Sequence, residues 1–342
     1  MTLFGYEGRA LFNLFNKNQV NKLLIGAEFS ENSIAIAQVS YTPEQQPRLL
    51  LCERGQYSSS NSADDILSTF KEITKKIKLK DFVLNTTIQQ HERQLLLIEA
   101  PQVEASELKE AARWKIKDMI DFNIDDAVID VIEIPNMKEL KRTPMIYAVV
   151  VKREKVNDIV TLNEKCGSKL SVIDIPDMAQ RNFAALLPED HNGIAILSIN
   201  SKSSLLTITR QGKLYLSREL ETGFEALMSN EIKHEPNSET DTPILKLMVE
   251  SSSAAISESL ERMVLEIQRS LDYYESQYNQ PQIKGLYLAP FNYDVSEIKN
   301  YFSEQLGIKT KMLDFNILFS TDEPIPYQLQ ADTFYAVGAA LR

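Results

Sequence analysis

The sequence has little of what most catalytic and exported classes need. Its 342 residues hold two cysteines, Cys52 and Cys166, far apart. That excludes a disulfide scaffold and reads as free thiols in a reducing compartment. Three histidines, His91, His191 and His234, stand alone with no ligand-spaced neighbours, so zinc has no footing. No stretch approaches the ~20 consecutive apolar residues of a membrane span. The start, Met1 to Arg9, has neither a basic n-region nor an apolar h-region, so no secretory signal is expected. Gly-x-Ser-x-Gly and Gly-x-x-x-x-Gly-Lys-[Ser/Thr] are both missing, which removes the hydrolase elbow and the phosphate-cradling P-loop. Cations are also short: 37 Lys and Arg face 48 Asp and Glu, a net charge of −11. That balance gives no general pull toward nucleic acid or anionic lipid and favours cationic partners.

What is present is a folded α/β chain. Hydrophobic residues make up 43% and charged residues 25%, which excludes bulk disorder and suits two domains or a bilobal unit. Residues 1–22 read as an N-terminal segment; Leu11, Phe12, Leu14 and Phe15 beside Arg9 and Lys17 form a short amphipathic patch there. From Leu23, two apolar runs (23–29 and 34–39) flank the polar turn Ser30 to Ser33, a hairpin signature. A third strand (48–52), a helix (64–78) and strands at 82–85 and 94–98 complete a first unit, 23–100. Pro101 opens an inserted module, 101–175. Ser106 is the expected N-cap of a helix whose apolar face carries Leu108, Ala111, Ala112, Ile116, Met119 and Ile120. Strands at 128–134 and 145–151, a helix at 156–166 stopped by Gly167, and a strand at 170–173 follow.

The three-strand meander then returns. After a helix at 177–187 come strands at 193–199, 204–209 and 213–217, joined by Asn200 to Ser203 and by Gln211-Gly212. Residues 229–243 read as a mobile loop. The long helix 255–278 presents Leu260, Met263, Ile267, Leu271, Tyr274 and Tyr278 on one face. A strand at 285–288, a helix at 295–306, a strand at 310–313 and a terminal helix at 333–341 close this second unit, 176–342. The 177–187 and C-terminal helices are expected to complete the first unit.

A duplicated meander followed by helix and strand is similar to the actin-like, ribonuclease-H-like α/β layout, here bilobal with an inserted α+β module. Particular residues extend the likeness. Glu266 to Tyr274, the turn Arg218 to Gly223, the ending Ala336 to Arg342, and Ala100-Pro101, Trp114, Val149 to Lys152 and Cys166-Gly167 resemble the type IV pilus assembly protein PilM family, over about Leu24 to Arg342. The degenerate loops below are most similar to its MSHA-pilus branch.

In active members of this superfamily two units face each other across a nucleotide, and each first hairpin carries Asp-x-Gly at its tip. The carboxylate holds Mg²⁺ through water, and the glycine lets backbone N–H groups reach phosphate. The first tip here reads Glu28-Phe29-Ser30, after Gly26; the family's phosphate lysine falls on Ala35. The second reads Ser198-Ile199-Asn200, with Ser204 and Gly223 kept. The late paired glycines read Pro290-Phe291, while Arg269 on the nucleoside-side helix is retained. Each loop has lost glycine, which adds a Cβ where backbone and phosphate must nearly touch. These positions are therefore expected to be a vestigial nucleotide site: no catalysis and no cofactor, with ATP and Mg²⁺ the candidates for any residual binding.

Two further features need weighing. Asp121 to Asp125 imitates the start of an EF-hand, but Asp126 replaces the turn glycine and Ile132 the final glutamate, so an acidic connection is expected. Trp114 lies about 120° from Leu108 on the helical wheel. Packing on the flank of the apolar stripe is the ordinary expectation, and a partner-binding anchor the alternative.

The resemblance implies a cytoplasmic scaffold, peripheral on the inner membrane through a protein partner. That partner is a PilN-like single-span protein whose N-terminal tail lies in a groove between the first unit and the module. The pilus motor ATPase and self-association are further implied contacts; nucleic acid is not. An ATP-binding switch of the same fold and a GspL-like secretion-platform component are the alternatives.

Overall fold

The computed structural model describes residues 22–41, 46–57, 63–75, 77, 83–135, 142–228, 234–235, 244–245, 254–293 and 295–342. The amphipathic patch at Leu11 to Phe15 lies outside them. The chain forms two compact units: 1–179 with 335–342, and 180–334.

In the first unit, β1 (Lys22–Phe29), β2 (Ser33–Tyr41) and β3 (Arg48–Gln56) form the antiparallel meander. After α1 (Ala63–Ile73), β4 (Val83–Thr87) pairs parallel to β1. Then come β5 (Arg93–Glu99), α2 (Leu108–Ile116), β6 (Ala127–Glu133), β7 (Met145–Lys152) and α3 (Arg153–Lys165). β8 (Lys169–Asp174) returns to lie parallel to β4, and α4 (Pro176–Ala184) follows. The main sheet has the order β3-β2-β1-β4-β8; the module sheet is β5-β7-β6, antiparallel throughout.

Alternation decides which face each strand buries. On the main sheet Ile25, Ala27, Ile34, Ile36 and Leu84 form a core with Ile66 and Phe70 of α1. On the module sheet Ile98, Ile129, Ile146, Ala148 and Val150 pack under Leu108, Ala112 and Ile116 of α2. The cap of α2 differs from the Ser106 expectation. Glu107 takes the N-cap place with helical dihedrals and no capping bond, so the helix starts a residue later and core contacts hold it instead. Gly167 does stop α3, at a φ of 71°.

In the second unit β9 (Ile194–Ile199), β10 (Ser204–Arg210) and β11 (Lys213–Leu220) repeat the meander. α5 (Phe224–Met228), the short pair β12 (His234–Glu235) and β13 (Ile244–Leu245), and α6 (Ala254–Tyr278) come next. β14 (Gly285–Leu288), α7 (Ser296–Leu306), β15 (Lys309–Met312), α8 (Phe315–Leu318) and α9 (Tyr327–Ala340) finish it. The sheet order is β11-β10-β9-β14-β15. Numbered within each sheet, both read 3-2-1-4-5 with the same parallel and antiparallel pairings. This is the duplicated actin-like α/β layout. Of the expected 229–243 loop, only 234–235 are described, paired to 244–245. The C-terminal helix starts six residues before the expected 333. The Pro326 carbonyl accepts the Gln330 N–H at 3.0 Å, so the proline opens the helix rather than delaying it.

Within the second unit, Phe183 stacks on Phe334 at 4.5 Å between ring centres and on Phe315 at 5.5 Å. Burying such a side chain is worth about 1.5–3 kcal/mol. In the first unit the end of α9 crosses β1 at Gly26. A Cβ there would fall 2.0 Å from the Ala336 carbonyl oxygen and 2.5 Å from the Ala340 nitrogen. The glycine is thus a backbone-to-backbone contact between helix and strand.

Candidate functional site

The first tip is closed by side chains from three directions. Ser30 N–H donates to the Ser33 carbonyl at 2.9 Å, tightening the turn. The Tyr57 hydroxyl donates to the Ser30 carbonyl, and the Tyr57 N–H to the Asn32 carbonyl at 3.0 Å. Burial pushes the Tyr57 phenol up, which keeps the donor proton in place. From the end of β4, the Gln89 amide nitrogen donates to Glu28 Oε1 at 3.1 Å and to the Phe29 carbonyl at 3.0 Å. Ser30 Oγ lies 3.4 Å from the same nitrogen. Gln89 is itself held: its N–H donates to Glu92 Oε2 at 3.2 Å, and Glu92 Oε1 meets Lys155 Nζ of α3 at 3.3 Å.

The second tip is closed mainly by backbone. Asn200 N–H donates to the Ser203 carbonyl at 2.9 Å. The first N–H groups of α5 are spent on the tip: Phe224 N–H on the Asn200 carbonyl and Glu225 N–H on the Ser201 carbonyl, both at 2.8 Å. Free N–H groups at a helix start are what an anion would use. Gly223 lets these strands of backbone meet, since a Cβ there would fall 2.3 Å from the Lys202 carbonyl carbon and 2.4 Å from Ser203 N. Ser204 is fully buried, and its Oγ donates to the Thr222 carbonyl at 2.6 Å. Ser198 is buried too; its Oγ accepts from Gln180 Nε2 at 2.7 Å, while Gln180 Oε1 accepts from Thr207 Oγ1 at 2.7 Å.

At the late loop, Phe291 meets Phe224 edge-on at 4.9 Å, and Tyr293 stacks on Phe224 at 4.7 Å. Arg269 is exposed on α6. Neither tip fits a magnesium phosphate. The one retained carboxylate is bound by an amide, the α5 N–H groups are committed to the hairpin, and no glycine opens either turn.

The structure thus gives the singled-out positions different work. Gly26 and Gly223 serve close backbone packing; Ser198 and Ser204 serve buried hydrogen bonds; Glu28, Ser30 and Asn200 hold the turns. Gln89, Tyr57 and Gln180, which no local motif flags, supply the partners.

The module joins the main sheet through Gln90–Glu92, which leads directly into β5. Inside the junction Arg93 pairs with Asp177 through two bonds, Nε to Oδ2 at 2.9 Å and a terminal nitrogen to Oδ1 at 3.0 Å, with both side chains buried. β5 is an edge strand, with Leu95, Leu96 and Leu97 half-buried. The EF-hand-like run is a short turn: Asn123 Oδ1 accepts the Asp125 N–H at 3.0 Å, and Arg113 reaches the Ile124 carbonyl at 2.6 Å. Trp114 does not pack on the flank of the stripe, as the ordinary expectation held. It is 71% exposed, because Leu108, Ala112 and Ile116, with Ile120, Phe122 and Ile124 after the helix, cover the sheet face below and leave the indole outside; Met119, expected on the apolar face, is half exposed as well. Among the described residues no helix is long and apolar enough to cross a membrane.

Residues 56–342 match the family described as "Type IV pilus assembly protein PilM". No curated protein matches the sequence. Among solved structures, the chain is similar to that of the "PilM-PilN type IV pilus biogenesis complex", at 19% identity and a TM-score of 0.69, over 93% of this chain and 98% of that one. A Bacteroides thetaiotaomicron protein with an actin-like ATPase fold follows at 11% identity and a TM-score of 0.44, over 93% and 97%. The cytoplasmic domain of EpsL, an inner-membrane component of the Vibrio cholerae type II secretion system, stands at 11% and 0.43, over 92% and 95%.

Proposed function

Because the chain belongs to the type IV pilus assembly protein PilM family, we propose that it is a non-enzymatic scaffold of a type IV pilus assembly platform at the cytoplasmic face of the inner membrane. Its branch on this reading is the MSHA pilus protein MshI. It binds the N-terminal tail of a PilN-like single-span membrane protein, in a groove between the main sheet of the first unit and the module. It uses no cofactor and does not bind nucleic acid; the pilus motor ATPase and further copies of the chain are secondary contacts.

The observation that carries the non-enzymatic part is the commitment of both hairpin tips to their own protein. An ATP-binding switch would need Gln89 to leave Glu28 and α5 to release the second tip. For the partner, the support is family membership together with the PilN named in the solved complex. β5 suits the role: an edge strand with half-buried leucines offers main-chain groups to an extended peptide and shallow apolar seats to alternate side chains. The net charge of −11 suits a tail carrying a basic residue.

The test is pull-down of the full chain by a detergent-solubilised PilN-like protein, intact or lacking about ten N-terminal residues, enough to line one strand. The intact protein is expected to retain the chain and the truncated one to lose it. Equal retention by both would refute the tail-binding reading.

A further inference from the structure

The solvent face of α2 has a composition that the tail groove does not use. Glu107, Glu110, Trp114, Lys117 and Asp118 are all exposed and recur at helical spacing, directly opposite Leu108, Ala112 and Ile116. Trp114 sits in the middle of this stripe at 71% exposure, with Met119 half exposed just beyond it. The module sheet lies between this helix and the rest of its unit. One sheet face packs under α2; the other, with Tyr147, Val149 and Val151, is buried on the side where α3 links β6 and β7 to β8 of the main sheet. A peptide between module and main sheet therefore does not reach Trp114.

The charges without a partner around the indole are mostly acidic. Three of the four cations on or next to α2 already have partners. Arg113 holds the Ile124 carbonyl at 2.6 Å and Asp125 at 3.4 Å, Lys115 holds the Glu99 carbonyl at 3.0 Å, and Lys109 lies 3.9 Å from Asp130. Lys117 alone has no partner among the described residues. Glu104, Glu107, Glu110 and Asp118 are exposed, and among the described residues none of their carboxylates has a partner. An exposed tryptophan ringed by unpaired carboxylates attracts a cation over the ring face and apolar carbon beside it.

We infer that this face of α2 docks a basic amphipathic segment of a second protein, distinct from the membrane partner's tail. An arginine or lysine stacks on Trp114 while neighbouring cations meet Glu107, Glu110 and Asp118. The carboxylates disfavour an anionic membrane, and a chain of −11 repels its own copies. The inference stands on this surface alone, whether or not the tail reading holds.

Trp114 is the only tryptophan in the chain, so its fluorescence reports on this site alone. The full chain is titrated with a tryptophan-free helical peptide of arginine and leucine, about five turns long. The same is done with its glutamate–leucine counterpart, with anionic phospholipid vesicles, and with increasing concentrations of the chain itself. The account expects a saturable blue shift with the arginine peptide alone, weakened by salt. Double charge reversal, Glu107→Lys with Glu110→Lys, should weaken it at least about tenfold, and Lys117→Glu should tighten it several-fold. With a labelled peptide, Trp114→Ala should cost about 30-fold in affinity. All these side chains are exposed, and an unchanged circular dichroism spectrum checks the fold of each variant. No shift with the arginine peptide would overturn the proposal. So would a shift with the glutamate peptide, with vesicles or on raising chain concentration, or a response unchanged by charge reversal.

Discussion

The two units share one strand order yet close their first hairpins by different means. In the first unit two backbone bonds at the turn are joined by removable side chains: Tyr57 on the Ser30 carbonyl, and Gln89 on Glu28 and the Phe29 carbonyl. In the second the lock is mainly backbone on backbone, with α5 N–H groups on the tip carbonyls and Gly223 pressed against residues 201–203, beside surface bonds from Ser201 and Ser203 to Glu225 and Glu219. A side-chain lock can be undone by truncation at modest cost. A backbone lock can be undone only by forcing the chain apart. The first tip is therefore the one that side-chain substitutions should open more readily, and the second the one that should resist them.

The largest expected effects come from adding a single methyl. Gly26→Ala would place a Cβ 2.0 Å from the Ala336 oxygen, and Gly223→Ala one 2.3 Å from the Lys202 carbonyl carbon. In both the obstacle is backbone, so each should cost about 3 kcal/mol or more, read by chemical denaturation. A loss under about 1 kcal/mol at Gly223 would mean the second tip is loose and the contrast between the units false.

Gln89→Ala should cost less, about 1–2 kcal/mol, since it removes hydrogen bonds without creating a clash. Glu28→Gln in the same background separates the parts. If the amide's main service is to the carboxylate, the second substitution adds little once the first is made. Full additivity in this double-mutant cycle would show that the two side chains do not act together. Ser198→Ala in the second unit removes the 2.7 Å partner of Gln180 Nε2, which also lies 3.4 Å from the Leu205 carbonyl, and should cost about 1 kcal/mol.

The smallest effect concerns Cys166, which packs on the main-sheet core beside Leu162. Burial pushes its thiol up to about 11, against a smaller opposing pull from Lys71. The folded thiol holds its proton more tightly than the unfolded one. The resulting stabilisation is full below the unfolded value near 8.5 and fades as pH rises toward 11. At pH 8 the native thiol should alkylate roughly two orders of magnitude more slowly than in urea, by mass spectrometry. Similar rates in the two would mean the site is open.

The duplicated strand order was legible because meander turns and apolar alternation are local signals. Gly167 was legible for the same reason, as a helix stop needing positive φ. The contents of the tips were not. Gln89 lies 61 residues from Glu28, and Gly26 is required by a helix some 310 residues later in the chain. Neither contact leaves a periodic trace. A glycine shortly before a hairpin turn carries no local mark of the helix that presses on it, and the approach of Ala336 is visible only in the fold. Trp114 was misplaced for a related reason. A helical wheel gives its angle to the stripe, but whether anything lies on that flank depends on the width of the sheet beneath.

Thermal denaturation of the full chain across a titration of Mg-ATP into the millimolar range decides the proposal that this PilM-family chain needs no nucleotide. The melting temperature is expected to move by no more than a fraction of a degree. A ligand at a hundred times its dissociation constant would add about 2.7 kcal/mol, which is several degrees for a chain of this size. A saturable rise of that kind, lost in Glu28→Gln, would contradict the claim.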